Sequence, residues 1–398
     1  MALQPADRLN KISESQTIAM ARLSRELQEQ GHDVISLSLG EPDFVTPENI
    51  RESAKKAIDE GFTFYTPISG FADLRKAISD KFKNENGLDY APDQIVVSTG
   101  AKQSIANIVL ALVNPGEEVI VPTPYWVSYS QIISLAEGVA VFIHAGVESD
   151  YKITPAQLEA AITPRTKLFI FSSPCNPSGT VYTKEELKAF ADVFAKNPHV
   201  LILSDEIYEH INFQGSHESI AQFENIRERV IIVNGTSKGY AMTGWRIGYI
   251  GAPKWIAQAC DKIQGQFTSG TSSISQKAAL GALRSGSEFY TMMRDTYLRR
   301  RDLMLGLLRD IPGLKVNVPM GAFYVFPDVS SYFGKTDGKT VIHNAGDLCM
   351  YVLHDGKVSM VPGEAFGDPS CVRLSYATSD ENITKAVARL KESLAKLH

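Results

Sequence analysis

The stretch QIVVSTGAKQSIANIVL, residues 94–110, decides the fold. Residues 95–98 form a short apolar run rich in β-branched side chains. Thr99-Gly100-Ala101-Lys102 makes a turn, and Ile105, Ile108, Val109 and Leu110 then recur at helical spacing. Working outward, the unit repeats: similar runs stand at 118–121, 139–143, 168–171, 200–203 and 230–233, separated mostly by helical stretches. Two of those helices carry capping boxes, Thr154 with Gln157 and Thr183 with Glu186, in which each side chain satisfies an orphan backbone donor of the other residue. The reading is an α/β fold with a mostly parallel, doubly wound sheet.

Upstream, residues 15–30 read as an amphipathic helix with Ile18, Leu23 and Leu27 among its apolar positions, ended by Gly31. A strand is expected at 34–38, a helix from a Thr46 cap and Pro47 to Gly61, and another over 71–85. Downstream, a long helix begins near Ser287, followed by shorter strands and a last helix capped at Thr378 with Glu381. This gives an arm and helix over 1–45 that packs with a smaller α/β domain over 287–398, and a large domain over 46–286.

Composition sets the outer limits. With 398 residues, 44% hydrophobic and 21% charged, the chain is an ordinary globular one. A net charge of -5, with Lys and Arg dispersed, argues against nucleic acid as a partner. No signal-like apolar core opens the chain and no run of about 18 apolar residues occurs, so a cytoplasmic enzyme without membrane contact is expected. The four cysteines are far apart and the eight histidines lack metal-ligand spacing, so no metal is expected.

In open α/β sheets ligands bind beyond the carboxyl ends of the strands, and four such places are unusually polar. The turn at Gly100 offers free amides at a helix N-terminus, which suit a phosphate. Ser172-Ser173-Pro174-Cys175-Asn176-Pro177-Ser178-Gly179 is a rigid turn presenting Asn176. In Ser204-Asp205-Glu206-Ile207-Tyr208 a carboxylate at a buried strand end demands a cationic partner. Lys238, among small residues after a buried run and followed by Arg246, is a candidate desolvated amine suited to Schiff-base chemistry. Each has a bland alternative: a cap, a turn, a solvated lysine, a surface ion pair. Together they are a phosphate cradle, an anion for a ring nitrogen, an amide donor and an amine, the parts that a pyridoxal phosphate site requires.

The stretch Ser237-Lys238-Gly239-Tyr240-Ala241-Met242-Thr243-Gly244-Trp245-Arg246-Ile247-Gly248 resembles the lysine motif of the class I aminotransferases, the aspartate aminotransferase family, and most closely its bacterial subgroup. Similar segments run from Ser38-Leu39-Gly40-Glu41-Pro42-Asp43-Phe44 to Val372-Arg373-Leu374-Ser375-Tyr376-Ala377. The resemblance implies a fold type I pyridoxal 5'-phosphate enzyme, a homodimer with shared active sites, and ping-pong transfer between amino acids and 2-oxo acids. Lys238 then carries the cofactor and shuttles the substrate's Cα proton, and Asp205 pairs with the ring nitrogen. Asn176 and Tyr208 bond the ring oxygen, while Trp126 stacks on the ring unless it is simply a core aromatic. The phosphate falls to Gly100, Ala101, Lys102, Ser237 and Arg246, with Tyr65 from the other subunit. Arg373 clamps the substrate α-carboxylate beside Gly40, with Trp126 and Asn176 also lining the substrate site.

Lys102, Cys175 and Gly235 depart from the commonest family pattern, and Lys102 either adds charge to the phosphate or reaches solvent. The helix after Gly100 offers no cation for a distal carboxylate, which weakens aspartate as substrate. L-aspartate with 2-oxoglutarate stays the first expectation, with aromatic or prephenate transamination, or a lyase on the same fold, as alternatives. A regulator is disfavoured because too few residues precede the first strand for a DNA-binding domain, and an idle scaffold because the lysine, aspartate and arginine set is intact.

Overall fold

The computed structural model describes residues 5–398; residues 1–4, the start of the expected arm, lie outside the described residues. The chain begins with α1 (Gln16–Glu29), β1 (Ile35–Ser36), α2 (Glu48–Asp59) and α3 (Ala72–Asn86). It then alternates through β2 (Ile95–Thr99), α4 (Ala101–Leu112), β3 (Glu118–Thr123), α5 (Ser128–Leu135), β4 (Val139–His144), α6 (Pro155–Ala161), β5 (Thr166–Ser172), α7 (Lys184–Lys196) and β6 (Leu201–Asp205). β7 (Val230–Gly235), β8 (Ile247–Gly251), α8 (Lys254–Phe267), α9 (Ser273–Arg284) and α10 (Glu288–Arg309) follow. The remainder is β9 (Tyr324–Val325), α11 (Ala345–Asp355), β10 (Val358–Ser359), β11 (Val361–Pro362), β12 (Val372–Ser375) and α12 (Asp380–Leu394).

Seven strands form the central sheet in the order β2-β8-β7-β6-β5-β3-β4, and β8 alone runs against the others. Helices cover both faces, so the inner strands are buried on both sides and read as unbroken apolar runs. β8 is the strand the pattern hides, because Gly248 and Gly251 interrupt it. Both are required by packing: a Cβ on Gly248 would lie 2.2 Å from the Ala101 nitrogen, and one on Gly251 2.9 Å from the Phe82 ring.

A separate core joins the two chain ends. Met20, Val34, Ile35 and Leu37 pack with Tyr297, Leu348, Leu374 and Val387, and β1 pairs in parallel with β10. Among the described residues no helix is long and apolar enough to cross a membrane.

Two expected caps differ. Thr46 does not cap α2: its hydroxyl donates to the Ala241 carbonyl at 2.6 Å and accepts the Trp245 indole N–H at 3.0 Å, tying this segment to the lysine loop. The last helix is capped one residue later than expected, by Ser379, which accepts the Asn382 amide at 3.2 Å, while Thr378 accepts that residue's side-chain amide. The capping boxes of α6 and α7 form as read. At α7, Thr183 Oγ1 accepts the Glu186 amide at 3.3 Å and Glu186 accepts the Thr183 amide at 2.7 Å. Thr183→Ala should therefore lower unfolding free energy by about 1 kcal/mol, read as a shifted urea midpoint at unchanged slope.

Candidate active site

A cavity of about 330 Å³ opens beyond the carboxyl ends of β2, β3, β5, β6 and β7. Of the residues expected at the site, Gly40, Ala101, Lys102, Trp126, Asn176, Asp205, Tyr208, Ser237, Lys238, Arg246 and Arg373 all line it. Gly100 does not line it, although the next residue, Ala101, does. Tyr65 is outside the cavity and 99% exposed.

At the start of α4, the Gly100 N–H is already given to the Ser98 carbonyl at 2.8 Å, and the amides of Gln103 and Ser104 turn back to the Gly100 carbonyl. The amide cradle expected on Gly100, Ala101 and Lys102 thus narrows to Ala101 and Lys102. Gly100 supplies room instead: its φ is +83°, and a Cβ there would lie 2.1 Å from an Arg246 guanidinium nitrogen. Arg246 itself sits at φ 58°, held by its own bond to the Thr243 carbonyl at 2.9 Å, an uncommon backbone state that aims its side chain at the helix end. A dipole end, two amides and a guanidinium make an anion site.

At the end of β6, Asp205 is buried and accepts bonds from the Tyr129 hydroxyl at 2.7 Å and the Ile207 amide at 3.3 Å. Neither donor is a cation. Burial pushes the Asp205 pKa up to about 6, and the two hydrogen bonds only partly oppose it. Beyond β7, Lys238 donates to the Gly40 carbonyl at 2.5 Å, and burial pulls its pKa down to about 8 against the influence of Glu41. An amine in that state is still mainly protonated at neutral pH, but its neutral, nucleophilic fraction there, roughly a tenth, is far larger than that of a solvated lysine.

Arg373, on β12, is 1% exposed. Its guanidinium gives one bond to Asn176 Oδ1 at 2.9 Å and one to the Ser38 carbonyl at 2.6 Å, its Nε has no partner, and the rings of Tyr324 and Phe366 lie 4.6 and 4.9 Å away. A buried guanidinium bonded to neutral oxygens alone is a strong receptor for a carboxylate. Gly40 is needed beside it, since a Cβ would lie 2.7 Å from the Tyr324 hydroxyl. Tyr208 and Tyr324 share a hydroxyl bond of 2.8 Å. The Lys102 ammonium sits 5.0 Å from the centroid of the Trp126 ring, with its pKa lowered by burial and by Arg246.

Tyr129, Tyr324 and the segment at Ser15, Thr17 and Ile18 line the cavity as well, and none of them is among the site residues expected from the sequence. Tyr129, in the first turn of α5, follows Trp126 by three residues, a usable signal. Ile18, expected on the buried face of α1, is 56% exposed and turns to the cavity.

The family described as aminotransferase class I and II matches residues 32–390. An aspartate/prephenate aminotransferase of Cereibacter sphaeroides is 47% identical over 98% of this chain and 99% of its own. A bifunctional aspartate aminotransferase and glutamate/aspartate-prephenate aminotransferase of Petunia hybrida is 46% identical over 98% of this chain and 82% of its own. Among solved structures, an aspartate aminotransferase from Rhizobium meliloti superposes with a TM-score of 0.96 at 42% identity, covering 100% of both chains. The Thermus thermophilus aspartate aminotransferase with maleate gives 0.93 at 39% identity, covering 98% of this chain and 100% of its own. A match this complete in sequence and in fold leaves one placement: the chain belongs to the class I and II aminotransferases.

Proposed function

We propose that the chain transfers the amino group of L-aspartate to 2-oxoglutarate, using pyridoxal 5'-phosphate. The observation that carries the reading is Asp205, a carboxylate buried with no cation bonded to it in a cavity that also holds a desolvated amine and a buried guanidinium. Three such groups are unfavourable in an unliganded protein and become complementary once a protonated pyridine, a carbonyl and a carboxylate meet them. When bound, pyridoxal phosphate supplies a carbonyl for the amino group and an electron sink for the bond that must break.

The residues do the rest. The amides of Ala101 and Lys102, with Ser237 and Arg246, hold the phosphate, and Trp126 covers the ring. Asp205 keeps the ring nitrogen protonated, while the Asn176 amide and the Tyr208 hydroxyl bond the ring oxygen. Arg373 fixes the substrate α-carboxylate, with Gly40 leaving it room. Lys238 removes the Cα proton and returns it on the other half of the reaction, so donor and acceptor bind in turn. Tyr65 of a second copy completes the phosphate site; its full exposure, with Phe64 at 84% and Phe267 at 68% on neighbouring segments, supports a homodimer.

For the distal carboxylate the cavity offers the Lys102 ammonium on Trp126, a cation from the first turn of α4 rather than from its later residues. A dicarboxylate is the ligand that two separated cations select, and the Thermus relative was solved with one, maleate. Prephenate, a ring-bearing dicarboxylic oxo acid, fits the same two cations, and the apolar Ile18, Leu39 and Trp126 give a ring somewhere to lie.

The test follows the cofactor absorbance of the purified, reconstituted protein. L-aspartate should convert the band to that of the amine form and 2-oxoglutarate should restore it; a band that aspartate leaves unchanged would overturn the reading. Lys102→Leu should raise KM for aspartate about 10- to 100-fold and leave that for phenylalanine nearly unchanged, the span expected for one charge-assisted hydrogen bond.

A further inference from the structure

After β6 the chain runs Asp205-Glu206-Ile207-Tyr208-Glu209-His210. Asp205, Ile207 and Tyr208 line the cavity, whereas Glu206 and Glu209 are 1% and 6% exposed and are bonded elsewhere. Glu206 Oε1 accepts the hydroxyls of Ser204 at 2.8 Å and Ser219 at 2.7 Å, and its Oε2 lies 2.9 Å from His217 Nε2. Glu209 pairs with the buried ammonium of Lys81 on α3 and accepts the Asn86 amide at 3.0 Å. His210 bonds Glu85 at 2.9 Å and packs on Gly239, next to Lys238, where an added Cβ would meet its ring at 2.4 Å. Glu206, Glu209 and His217 approach one another within 4.8 Å in the manner of metal ligands, but Lys81 already supplies a cation there.

This polar layer backs the same short segment that presents Asp205 and Tyr208. A buried carboxylate adjacent in sequence to Asp205 works against the ionised form Asp205 needs, unless its own charge is cancelled. His217 is placed to cancel it. Burial disfavours the imidazolium, yet Glu206, with help from Glu209, outweighs that and raises the His217 pKa. The charged and titratable groups meeting His217 are Glu206, Glu209 and Lys81. Those meeting Asp205 are Tyr129 from α5, Glu206 on its own segment, Lys238 beyond β7, and Cys175 and Tyr208 through their buried side chains.

We propose that Glu206 and His217 are a positioning pair for Asp205: the pair anchors the segment so that Asp205 and Tyr208 face the cavity, and it neutralises the charge that Glu206 would otherwise set against the Asp205 carboxylate. The inference rests on Asp205 acting as the partner of the ring nitrogen. His217→Gln keeps a hydrogen-bonding side chain but strands the Glu206 charge, while the double variant Glu206→Gln with His217→Gln removes both charges and keeps the shapes.

The full-length protein, labelled with ¹³C at aspartate carboxyls, is titrated without cofactor, and the Asp205 signal is identified by its loss in Asp205→Asn. In His217→Gln its midpoint should rise by about half a pH unit or more, and in the double variant it should return close to the parent value. With pyridoxal phosphate added, kcat on aspartate should fall about tenfold in the single variant and recover to within about threefold in the double, with KM changed less than about twofold. An unmoved midpoint in His217→Gln, a double variant no better than the single, or both variants unfolding alike would overturn the proposal. A parent protein that does not transaminate aspartate while the titrations follow this pattern would sink the aspartate reading and leave the pair supported.

Discussion

Lys238→Ala should lower transamination of aspartate by about a thousandfold or more while the protein stays folded. The expectation follows from the place of the amine. It lies at the cavity wall, bonded to the Gly40 carbonyl, and burial has brought its pKa down to about 8. A positioned general base contributes about 10²- to 10⁴-fold, and under the proposed function the same amine is also the attachment point, so both contributions go together. Stability should not suffer, because the lysine is a desolvated cation without a carboxylate bonded to it, and its removal ends that penalty. The depressed pKa gives a second readout. The neutral amine is the reactive form, so the rate at which cofactor-free protein takes up pyridoxal phosphate should rise with pH and level off above about 8. A variant retaining more than about a tenth of parental turnover would remove Lys238 from the centre of the mechanism.

How far the sequence reached depended on the kind of signal each element emits. Inner parallel strands are buried on both faces, so β5, β6 and β7 appear as plain apolar runs, and the polar residues that follow them stand out as the site. Asp205, Asn176 and Lys238 are legible for that reason. β8 was not, because its two glycines exist to let Ala101 and Phe82 approach, a tertiary demand with no local signature. Thr46 looked like a cap because capping is the local use of a threonine before a proline, but its actual partners are nearly 200 residues away. Tyr324 is one aromatic among many in a two-residue strand, and only the fold reveals that it touches Tyr208, Gly40 and Arg373 together. Lys102 is visible but ambiguous in the sequence, and in the fold it is exposed to solvent with its ammonium over the Trp126 ring.

Asp205→Asn should reduce kcat about a thousandfold, far beyond the effect of an isosteric packing change, because the amide keeps the shape and can still accept the Tyr129 hydroxyl but cannot hold a proton on a ring nitrogen. The same substitution should also change how stability depends on pH before any cofactor is present. Asp205 has a folded pKa near 6 against 3.8 for the free side chain, so the folded, cofactor-free protein binds this proton more tightly than the unfolded chain does. Its contribution to stability is full below about pH 3.8 and is lost as pH rises through about 6. Asparagine has no proton to lose. The stability of Asp205→Asn relative to the parent should therefore grow between about pH 4 and pH 7 by on the order of 3 kcal/mol and then stay level, as read from urea midpoints across that range. Adding pyridoxal phosphate at pH 7.5 should reverse the order, stabilising the parent more than the variant, since the anion then gains the cation that burial denied it. Equal transaminase rates in the two proteins, or a stability difference that does not change with pH, would mean that Asp205 is a structural carboxylate held by Tyr129 and that the ring nitrogen must find its partner elsewhere in the cavity.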